Sequence, residues 1–347
     1  MERSGITAIG LISGGLDSTL AACVLREQGL NVIGLNFSTG FCKTDARRAL
    51  NRPDERPERL RHEGLRAGAD ADIPIEVIDI AEEYLKLVLN PKYGYGKVMN
   101  PCIDCRIFML QRARAYMEEV GAHFVFTGEV LGQRPMSQHR RALRQIERDA
   151  DLEGYLLRPL SARLLEPTVP EQRGWVDRDR LPRIVGRSRK IQMALARKYG
   201  IAEYPQPSGG CCFLTDRNFG RRFQDLLDHT GADGLETEDL VFLKVGRHIR
   251  LSPTVKAIVG RDEPENNFLE RYRRGRWTAT ALDCSSPLTL VEGEPDAAAK
   301  ERIAAITARY SNARDRDRVR VRLERDAREE VLEVRPAPQA ECEALLL

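Results

Sequence analysis

The stretch Ser13-Gly14-Gly15-Leu16-Asp17-Ser18 lies between a short apolar run, Ile6–Ile12, and a helical pattern over Thr19–Gln28. Glycines after a strand let the backbone approach an oxyanion closely, and the N–H groups at the start of the next helix point toward it. No Gly-Lys-Ser/Thr ends the stretch, so it is not a Walker A loop. A carboxylate beside a phosphate suits Mg²⁺, which predicts a phosphate-binding loop with a cation at Asp17. The simpler alternative is a turn in which Asp17 or Ser18 caps the helix.

The residues that follow this loop alternate between short apolar runs and helical patterns. Val32–Phe37, Ile73–Ile80 and His123–Thr127 have the composition of buried strands, and helical patterns separate them. This alternation predicts an α/β fold with a doubly wound parallel sheet. After the stretch Gly231–Thr237 the pattern changes to short strands, among them Leu240–Val245, around an Ala-rich helix. We therefore expect one domain over residues 1–232 and a smaller α+β domain over residues 233–347.

The composition restricts the class of protein. Lys and Arg total 55 and Asp and Glu total 52 in 347 residues, so the net charge of +3 excludes a histone-like global field but permits a local basic face. No run approaches the roughly 18 apolar residues of a membrane helix, and no basic segment precedes the first apolar stretch as in a secretory signal. Eight cysteines are too few for a disulfide scaffold. We expect a cytoplasmic protein with reduced thiols.

The motif Ser-Gly-Gly-x-Asp-Ser after the first strand resembles the signature of the PP-loop ATP pyrophosphatases, which cleave ATP to AMP and pyrophosphate and adenylate a substrate oxygen. The resemblance implies a sheet of the adenine nucleotide alpha hydrolase type, with ATP across the carboxyl ends of its strands. It also implies that Asp17 holds Mg²⁺. The implied pyrophosphate contacts are Ser13, Gly14, Gly15 and Ser18, and the implied adenine contacts are Asn36, Phe37 and Gly128.

Two cysteine pairs lie further along the chain. Cys102 and Cys105 form a C-x-x-C, and Cys211 and Cys212 are adjacent. Thiolates bind iron and zinc strongly, and a C-x-x-C at a helix start places two sulfurs at one metal centre. Three such ligands would leave one iron of a cluster open to the sulfur being transferred. A zinc site with all four cysteines and a metal-free thiol and persulfide pair are the alternatives.

The residues around these cysteines resemble a subgroup of PP-loop enzymes. Asn100-Pro101-Cys102-Ile103-Asp104-Cys105 resembles the Asn-Pro-Asp-x-x-Cys segment of the tRNA-specific 2-thiouridylases, and Ser208-Gly209-Gly210-Cys211-Cys212-Phe213 resembles their Ser-x-Gly-x-Cys-Phe segment. On that match Cys105 and Cys212 are the two functional cysteines. Cys102 replaces an Asp and creates the C-x-x-C of related tRNA thiolases that hold a [4Fe–4S] cluster through three cysteines. The resemblance thus implies a cluster on Cys102, Cys105 and Cys211, with Cys212 as the alternative third ligand.

Three further segments bear on the substrate. Thr127–Arg134 and Leu157–Leu160 resemble loops that line the ATP and RNA side of the same subgroup. Gly186-Arg187-Ser188-Arg189-Lys190 opens a helix with three cations, which suits contact with an RNA backbone. A solvated helix start explains any one of these cations equally well.

The C-terminal region resembles a small RNA-binding module of the NFACT type, which also occurs in ribosome-quality-control proteins and is found fused to PP-loop domains. The resemblance lies in Leu243–Leu251, Lys256–Arg261 and Glu265–Leu269. Cations interleaved with Tyr272 and Trp277 suit RNA, because cations contact phosphates while aromatic rings stack on bases. Nearby acidic residues dilute the patch, so a solvated face is the alternative. The cations are Lys244, Arg247, His248, Arg250, Lys256, Arg261, Arg271, Arg273, Arg274 and Arg276.

These features together predict a tRNA sulfurtransferase that uses ATP, Mg²⁺ and a [4Fe–4S] cluster. ATP would adenylate a uridine carbonyl oxygen, and sulfur held at the cysteines would replace that oxygen. Asp17, Cys105 and Cys212 are the expected catalytic residues. The expected partners are tRNA and a sulfur donor, either sulfide or a cysteine desulfurase or carrier, with no membrane. The alternatives are a PP-loop enzyme acting on a small metabolite, and an RNA-binding sulfur carrier with a regulatory ATP site.

Overall fold

The computed structural model describes residues 5–43, 50, 62–204, 212–232, 234–235 and 239–347. These residues form two compact units. The first unit contains the described residues of Met1–Thr44 and Leu60–Cys212, and the second contains those of Asp45–Arg59 and Phe213–Leu347. Among the helices in these ranges, none combines the length and the apolar character needed to cross a membrane.

The first unit is built on a parallel five-stranded sheet in the order β3-β2-β1-β4-β5. Strands β2 and β3 are added in sequence on one side of β1, and β4 and β5 are added on its other side. The direction in which strands are added therefore reverses between β1 and β4. This reversal is the mark of a doubly wound sheet, and it confirms the predicted fold class. The strands are β1 (Thr7–Leu11), β2 (Asn31–Ser38), β3 (Ile75–Asp79), β4 (Phe124–Thr127) and β5 (Leu156–Leu157).

Helices cover both faces of this sheet. Ala8 and Ile12 pack into one apolar cluster, whereas Ile9 and Leu11 pack into another on the opposite face. A strand buried on both sides reads as a continuous apolar run, which is why Ile6–Ile12 shows no polar alternation. The helices are α1 (Leu16–Arg26), α2 (Glu63–Ala71), α3 (Ala81–Leu89), α4 (Cys102–Glu119), α5 (Arg140–Asp149), α6 (Val169–Gln172) and α7 (Lys190–Lys198).

The second unit is an α+β structure around an antiparallel six-stranded sheet in the order β11-β10-β8-β9-β7-β6. The Ala-rich helix predicted from the sequence covers this sheet and buries Ile303, Ala304 and Ala308. The helices are α8 (Arg217–Thr230), α9 (Asp239–Phe242), α10 (Glu263–Glu270), α11 (Ala297–Arg309) and α12 (Gln339–Ala344). The strands are β6 (Arg247–Ser252), β7 (Val255–Val259), β8 (Trp277–Ala281), β9 (Thr289–Glu292), β10 (Val319–Arg325) and β11 (Arg328–Val334).

Two expectations for this region differ from the structure. Leu240–Val245, predicted as a strand, begins with the short helix α9, and this helix and the turn after it bury the same apolar side chains. Helix α8, expected in the first domain, groups with the second unit. Arg250 binds Asp225 of α8 at 2.6 and 2.9 Å, which ties α8 to β6. The domain boundary remains a proposal, and these contacts favour a second domain that begins near Phe213.

Candidate active site

The stretch Ser13–Ser18 connects β1 to α1 at the carboxyl edge of the parallel sheet. Gly15 is the N-cap of α1, and no side chain caps the helix there. The Ser18 hydroxyl donates instead to the carbonyl of Gly15 at 2.8 Å. Neither Asp17 nor Ser18 therefore caps α1 through its side chain. The N–H groups at the start of α1 remain directed toward the space in front of the loop.

The two carboxylate oxygens of Asp17 differ in their hydrogen bonding. Its Oδ2 accepts a hydrogen bond of 2.7 Å from Gln133 Nε2. Its Oδ1 is buried and has no hydrogen-bond partner within the described part of the chain. A buried carboxylate oxygen without a partner costs free energy, and a cation would offset that cost. Asp17 therefore fits a Mg²⁺ ion, whose other ligands would be phosphate oxygens and water.

Close backbone packing shapes the loop on two sides. A Cβ added to Gly128, directly after β4, would lie 2.4 Å from the Ser18 nitrogen and 2.5 Å from the Asp17 carbonyl carbon. Gly14 has a φ of +78°, and a Cβ there would collide with the backbone of Glu63 in α2. A Cβ on Gly15 would meet only the Ser13 hydroxyl, at 3.4 Å. The loop is thus closely packed at Gly14 and Gly128, whereas at Gly15 the backbone is open enough for a side-chain atom.

Arg66 of α2 holds the loop from the side of Gly14. Its Nη2 donates to the Gly14 carbonyl at 2.8 Å, and its Nε donates to Glu63 at 2.9 Å. The guanidinium also binds Asp70 and the Glu203 carbonyl. Its charge is therefore compensated by two carboxylates. Sequence reasoning missed Arg66, because it lies in an Arg-rich stretch where nothing local distinguishes one arginine from the others.

Asn36 and Phe37 lie near the end of β2, which runs beside β1. The Asn36 side chain donates to the Ile12 carbonyl at 2.7 Å and so joins the ends of β1 and β2. Gly64 of α2 packs directly on this amide, since a Cβ there would lie 2.5 Å from Asn36 Nδ2. Phe37 packs against the apolar cluster that contains Ile9. The predicted adenine contacts of Asn36, Phe37 and Gly128 remain predictions.

The two loops predicted to line the ATP and RNA side of the site are joined by ion pairs. Arg158, only 4% exposed, binds Glu129 at 3.1 Å and Glu147 of α5 at 2.8 Å. Arg158 therefore holds the loop after β4 in place and is not available to RNA. Gln133, on the same loop, contacts Gln192 of α7 as well as Asp17. Sequence reasoning quoted Gln133 within a motif but assigned no role to either glutamine.

Three of the cysteines predicted as functional, Cys102, Cys105 and Cys212, interact with Tyr84. Cys102 and Cys105 begin α4, and Cys212 forms a β-bridge with Cys42. Tyr84 of α3 is 2% exposed, and its hydroxyl interacts with the thiols of Cys105, Cys212 and Cys102. Burial raises the pKa of the Tyr84 hydroxyl, and these thiols raise it further. Tyr84 therefore stays protonated and can donate a hydrogen bond to a thiolate.

A metal centre at these cysteines depends on a residue that the structure does not describe. Among the described residues, no group of three or more His, Cys, Asp or Glu side chains is placed to hold a metal ion. Cys102, Cys105 and Cys212 alone thus do not fit a [4Fe–4S] cluster. Cys211 lies outside the described residues, so the cluster on Cys102, Cys105 and Cys211 remains a prediction.

Several residues of the predicted RNA-binding patch are buried. His248 is fully buried, and burial lowers its pKa well below the usual value, with a further decrease from Lys256 and Arg222. Lys256 is buried as well and binds Glu292 at 2.7 Å. Trp277, 6% exposed, lies between Lys300 and Arg325, at 4.3 and 5.1 Å from its ring centroid. The expectation that Trp277 stacks on RNA bases is therefore wrong, because its ring belongs to the core.

The cations of the predicted patch that are not buried differ in their partners. Arg261 binds Glu265, Arg250 binds Asp225, and Arg273 binds both Glu270 and Glu324. Arg271 and Arg274 are exposed, and neither forms an ion pair with another described residue. Within the predicted patch, Arg271 and Arg274 are therefore the exposed cations whose charge no described carboxylate compensates.

Comparison with known proteins assigns a class to each unit. Residues 7–173 match the family model "tRNA methyl transferase HUP domain", and residues 246–345 match "NFACT protein RNA binding domain". These matches confirm the predicted resemblance, a PP-loop domain followed by an NFACT-type module.

The curated relatives of this chain include tRNA-specific 2-thiouridylases. MnmA of Dichelobacter nodosus (strain VCS1703A) is 25% identical over 233 residues, which are 63% of this chain and 55% of that protein. MnmA of Methylobacterium sp. (strain 4-46) is 28% identical over 298 residues, 83% of this chain and 68% of that protein. The chain thus spans little more than half of the first relative. A 4-thiouridine synthetase solved with RNA and ATP is 19% identical, with a TM-score of 0.32, over 56% of this chain and 51% of that chain.

We expect Gly128→Ala to displace the phosphate loop, because the new Cβ would press on backbone atoms at 2.4–2.5 Å that cannot rotate away. The predicted result is at least a roughly tenfold weaker affinity for ATP, with a loss of stability of about 1–3 kcal/mol. Isothermal titration calorimetry and urea unfolding measure the two effects. Gly5→Ala is the control, since a Cβ on Gly5 meets nothing within 4 Å. Wild-type ATP affinity in Gly128→Ala would place the nucleotide elsewhere.

Proposed function

We propose that this protein replaces a carbonyl oxygen of a tRNA uridine with sulfur, at the expense of ATP. The observation that carries the proposal is the buried Asp17 Oδ1, which has no hydrogen-bond partner among the described residues and lies in a glycine loop whose backbone is open at Gly15. The thiols of Cys105 and Cys212, which interact with Tyr84, lie in the same unit and can carry the sulfur that is transferred. The relatives named as tRNA-specific 2-thiouridylases and the match to an RNA-binding domain support tRNA as the substrate.

The first step activates the uridine oxygen. The carbonyl oxygen attacks the α-phosphorus of ATP, the bond to the bridging oxygen breaks, pyrophosphate leaves, and the uridine N3 proton passes to solvent. Ser13, Gly14, Gly15 and Ser18 bind the leaving pyrophosphate, together with the N–H groups that begin α1. Asp17 would hold Mg²⁺, which neutralises the charge on the phosphates. The oxygen then leaves the base as AMP in the second step.

The second step uses two cysteines. A persulfide on one of Cys105 and Cys212 attacks the activated carbon, and AMP leaves. The thiolate of the other cysteine then attacks the protein-bound sulfur, which releases the thiolated base and joins the two cysteines in a disulfide. An external thiol reduces this disulfide, and a sulfur donor renews the persulfide. The position of both thiols near the Tyr84 hydroxyl supports this assignment.

A [4Fe–4S] cluster on Cys102, Cys105 and Cys211 is the alternative sulfur site. The C-x-x-C at the start of α4 favours it, and an iron without a protein ligand would supply a place for sulfide. The cysteine pair is preferred here because Cys105 and Cys212 both interact with the Tyr84 hydroxyl. The two alternatives require different cysteines, because only the cluster needs Cys102.

Asp17→Asn should abolish adenylation, since the amide keeps the size of the side chain but loses the charge that binds a cation. We expect the rate of AMP formation to fall by about a hundredfold or more. AMP, ADP and pyrophosphate are measured by chromatography, with and without tRNA. Asp72→Asn is the control, because that exposed carboxylate pairs only with Arg26 on the surface. Formation of ADP would contradict the PP-loop assignment, and AMP formation independent of tRNA would favour the metabolite alternative.

Cys105→Ser and Cys212→Ser should each stop tRNA thiolation while AMP formation continues. Cys102→Ser should retain thiolation, and protein purified without oxygen should contain no stoichiometric iron. Metal analysis and mass spectrometry of digested tRNA provide the measurements. Cys284→Ser is the matched control, as it lies in the second unit. About four irons per chain, lost together with thiolation in Cys102→Ser, would establish the cluster instead.

Arg271→Gln combined with Arg274→Gln should weaken tRNA binding and lower its salt dependence. Each lost phosphate contact reduces the steepness of the plot of log association constant against log salt concentration by about 0.9. For two lost contacts we expect the slope to become shallower by about 1.8. Arg273→Gln combined with Arg320→Gln is the matched control, because both arginines already bind carboxylates. Filter binding over a range of salt gives both slopes. Equal slopes for the two double variants would contradict this surface as the tRNA contact.

A further inference from the structure

Two glutamines outside the proposed reaction form a chain of hydrogen bonds to Asp17. Gln133 Nε2 donates to Asp17 Oδ2 at 2.7 Å, and Gln192 Nε2 donates to Gln133 Oε1 at 3.3 Å. Gln192 lies on α7 and is 0% exposed. The chain therefore runs from the interior side of α7 to the phosphate loop.

The chemistry of these groups fixes the direction of the chain. An ionised carboxylate only accepts hydrogen bonds, so Gln133 must turn its NH₂ group toward Asp17. Its carbonyl oxygen then faces Gln192, which must supply a donor. The Gln192 donor stabilises the orientation that the carboxylate requires, since the reverse orientation of the Gln133 amide would place two oxygens against each other at Asp17. Gln192 thus acts on Asp17 through Gln133.

Backbone contacts hold the segments that carry the two glutamines next to each other. Leu131, two residues before Gln133, forms a β-bridge with Val185, and the Gly186 nitrogen donates to the Leu131 carbonyl at 2.7 Å. The segment that leads into α7 is therefore attached to the loop that carries Gln133. Because Oδ2 of Asp17 is held by Gln133, the partnerless Oδ1 is the oxygen left for a cation.

We propose that Gln133 and Gln192 are positioning residues that orient the Asp17 carboxylate for a divalent cation and thereby set the Mg²⁺ dependence of nucleotide binding. The inference rests on the proposed function only in its use of ATP and Mg²⁺. It requires neither tRNA nor a particular sulfur site.

The test measures ATP affinity by calorimetry in EDTA and over a series of Mg²⁺ concentrations. Gln133→Met keeps the length of the side chain and removes the donor to Asp17, so the Mg²⁺ concentration for half-maximal tightening of ATP binding should rise roughly tenfold. Gln192→Met should cause a smaller rise in the same direction. Affinity in EDTA should stay at the wild-type value in both variants. Gln172→Met is the control, since this exposed glutamine binds only the Pro167 carbonyl.

The double variant shows whether the two glutamines act in series on Asp17 or affect the Mg²⁺ dependence independently. If Gln192 acts through Gln133, the Gln133→Met/Gln192→Met protein behaves like Gln133→Met alone. Additive effects would overturn the chain, and an equal loss of affinity with and without Mg²⁺ would show a purely structural role and overturn the proposal. The proposed function is tested separately, by tRNA thiolation. If the protein does not thiolate tRNA but its Mg²⁺-dependent ATP binding responds to these variants, the proposed function is wrong and this inference is still supported.

Discussion

The contact between Gly128 and the backbone of Asp17 and Ser18 is the constraint on which the first unit depends. It occurs where the strand order reverses, between β1 and β4, and it leaves no room for a side chain. Because β4 ends directly against the phosphate loop, the loop that follows β4 passes within hydrogen-bond reach of Asp17. The site is thus fixed by main-chain packing, and the side chains complete it.

The local parts of this site were predictable from the sequence. A glycine-rich turn between an apolar run and a helical pattern specifies its own geometry, so the loop, the parallel sheet and the role of Gly14 follow from neighbouring residues. Arg66 and Gln192 do not, because their partners are distant in sequence. Asp17 and Gln133 are separated by 116 positions, and Gln133 and Gln192 by 59. Only the packing of α2 and α7 on the loop brings these residues into contact.

The second unit shows a different limit of sequence reasoning. The number of cations in the predicted patch indicated a basic surface. The pairing of Arg250, Arg261 and Arg273 with carboxylates leaves Arg271 and Arg274 as the exposed cations of this patch that form no ion pair with another described residue. Composition gives the number of charges, whereas the fold decides which of them are compensated. Likewise, the apolar pattern of Leu240–Val245 is compatible with a strand and also with a short helix followed by a turn. The helix and turn bury the apolar side chains that a strand was expected to bury.

The chain contains two tryptophans, and each unit holds one of them. Trp175 packs edge-on against His123 at 5.3 Å in the first unit, and Trp277 lies between two cations in the second. Each unit therefore has its own intrinsic fluorophore in a distinct electrostatic environment. With either indole replaced by Phe, the emission of the other reports the unfolding of a single unit. Whether nucleotide stabilises one unit or both thus becomes an optical measurement on the intact chain.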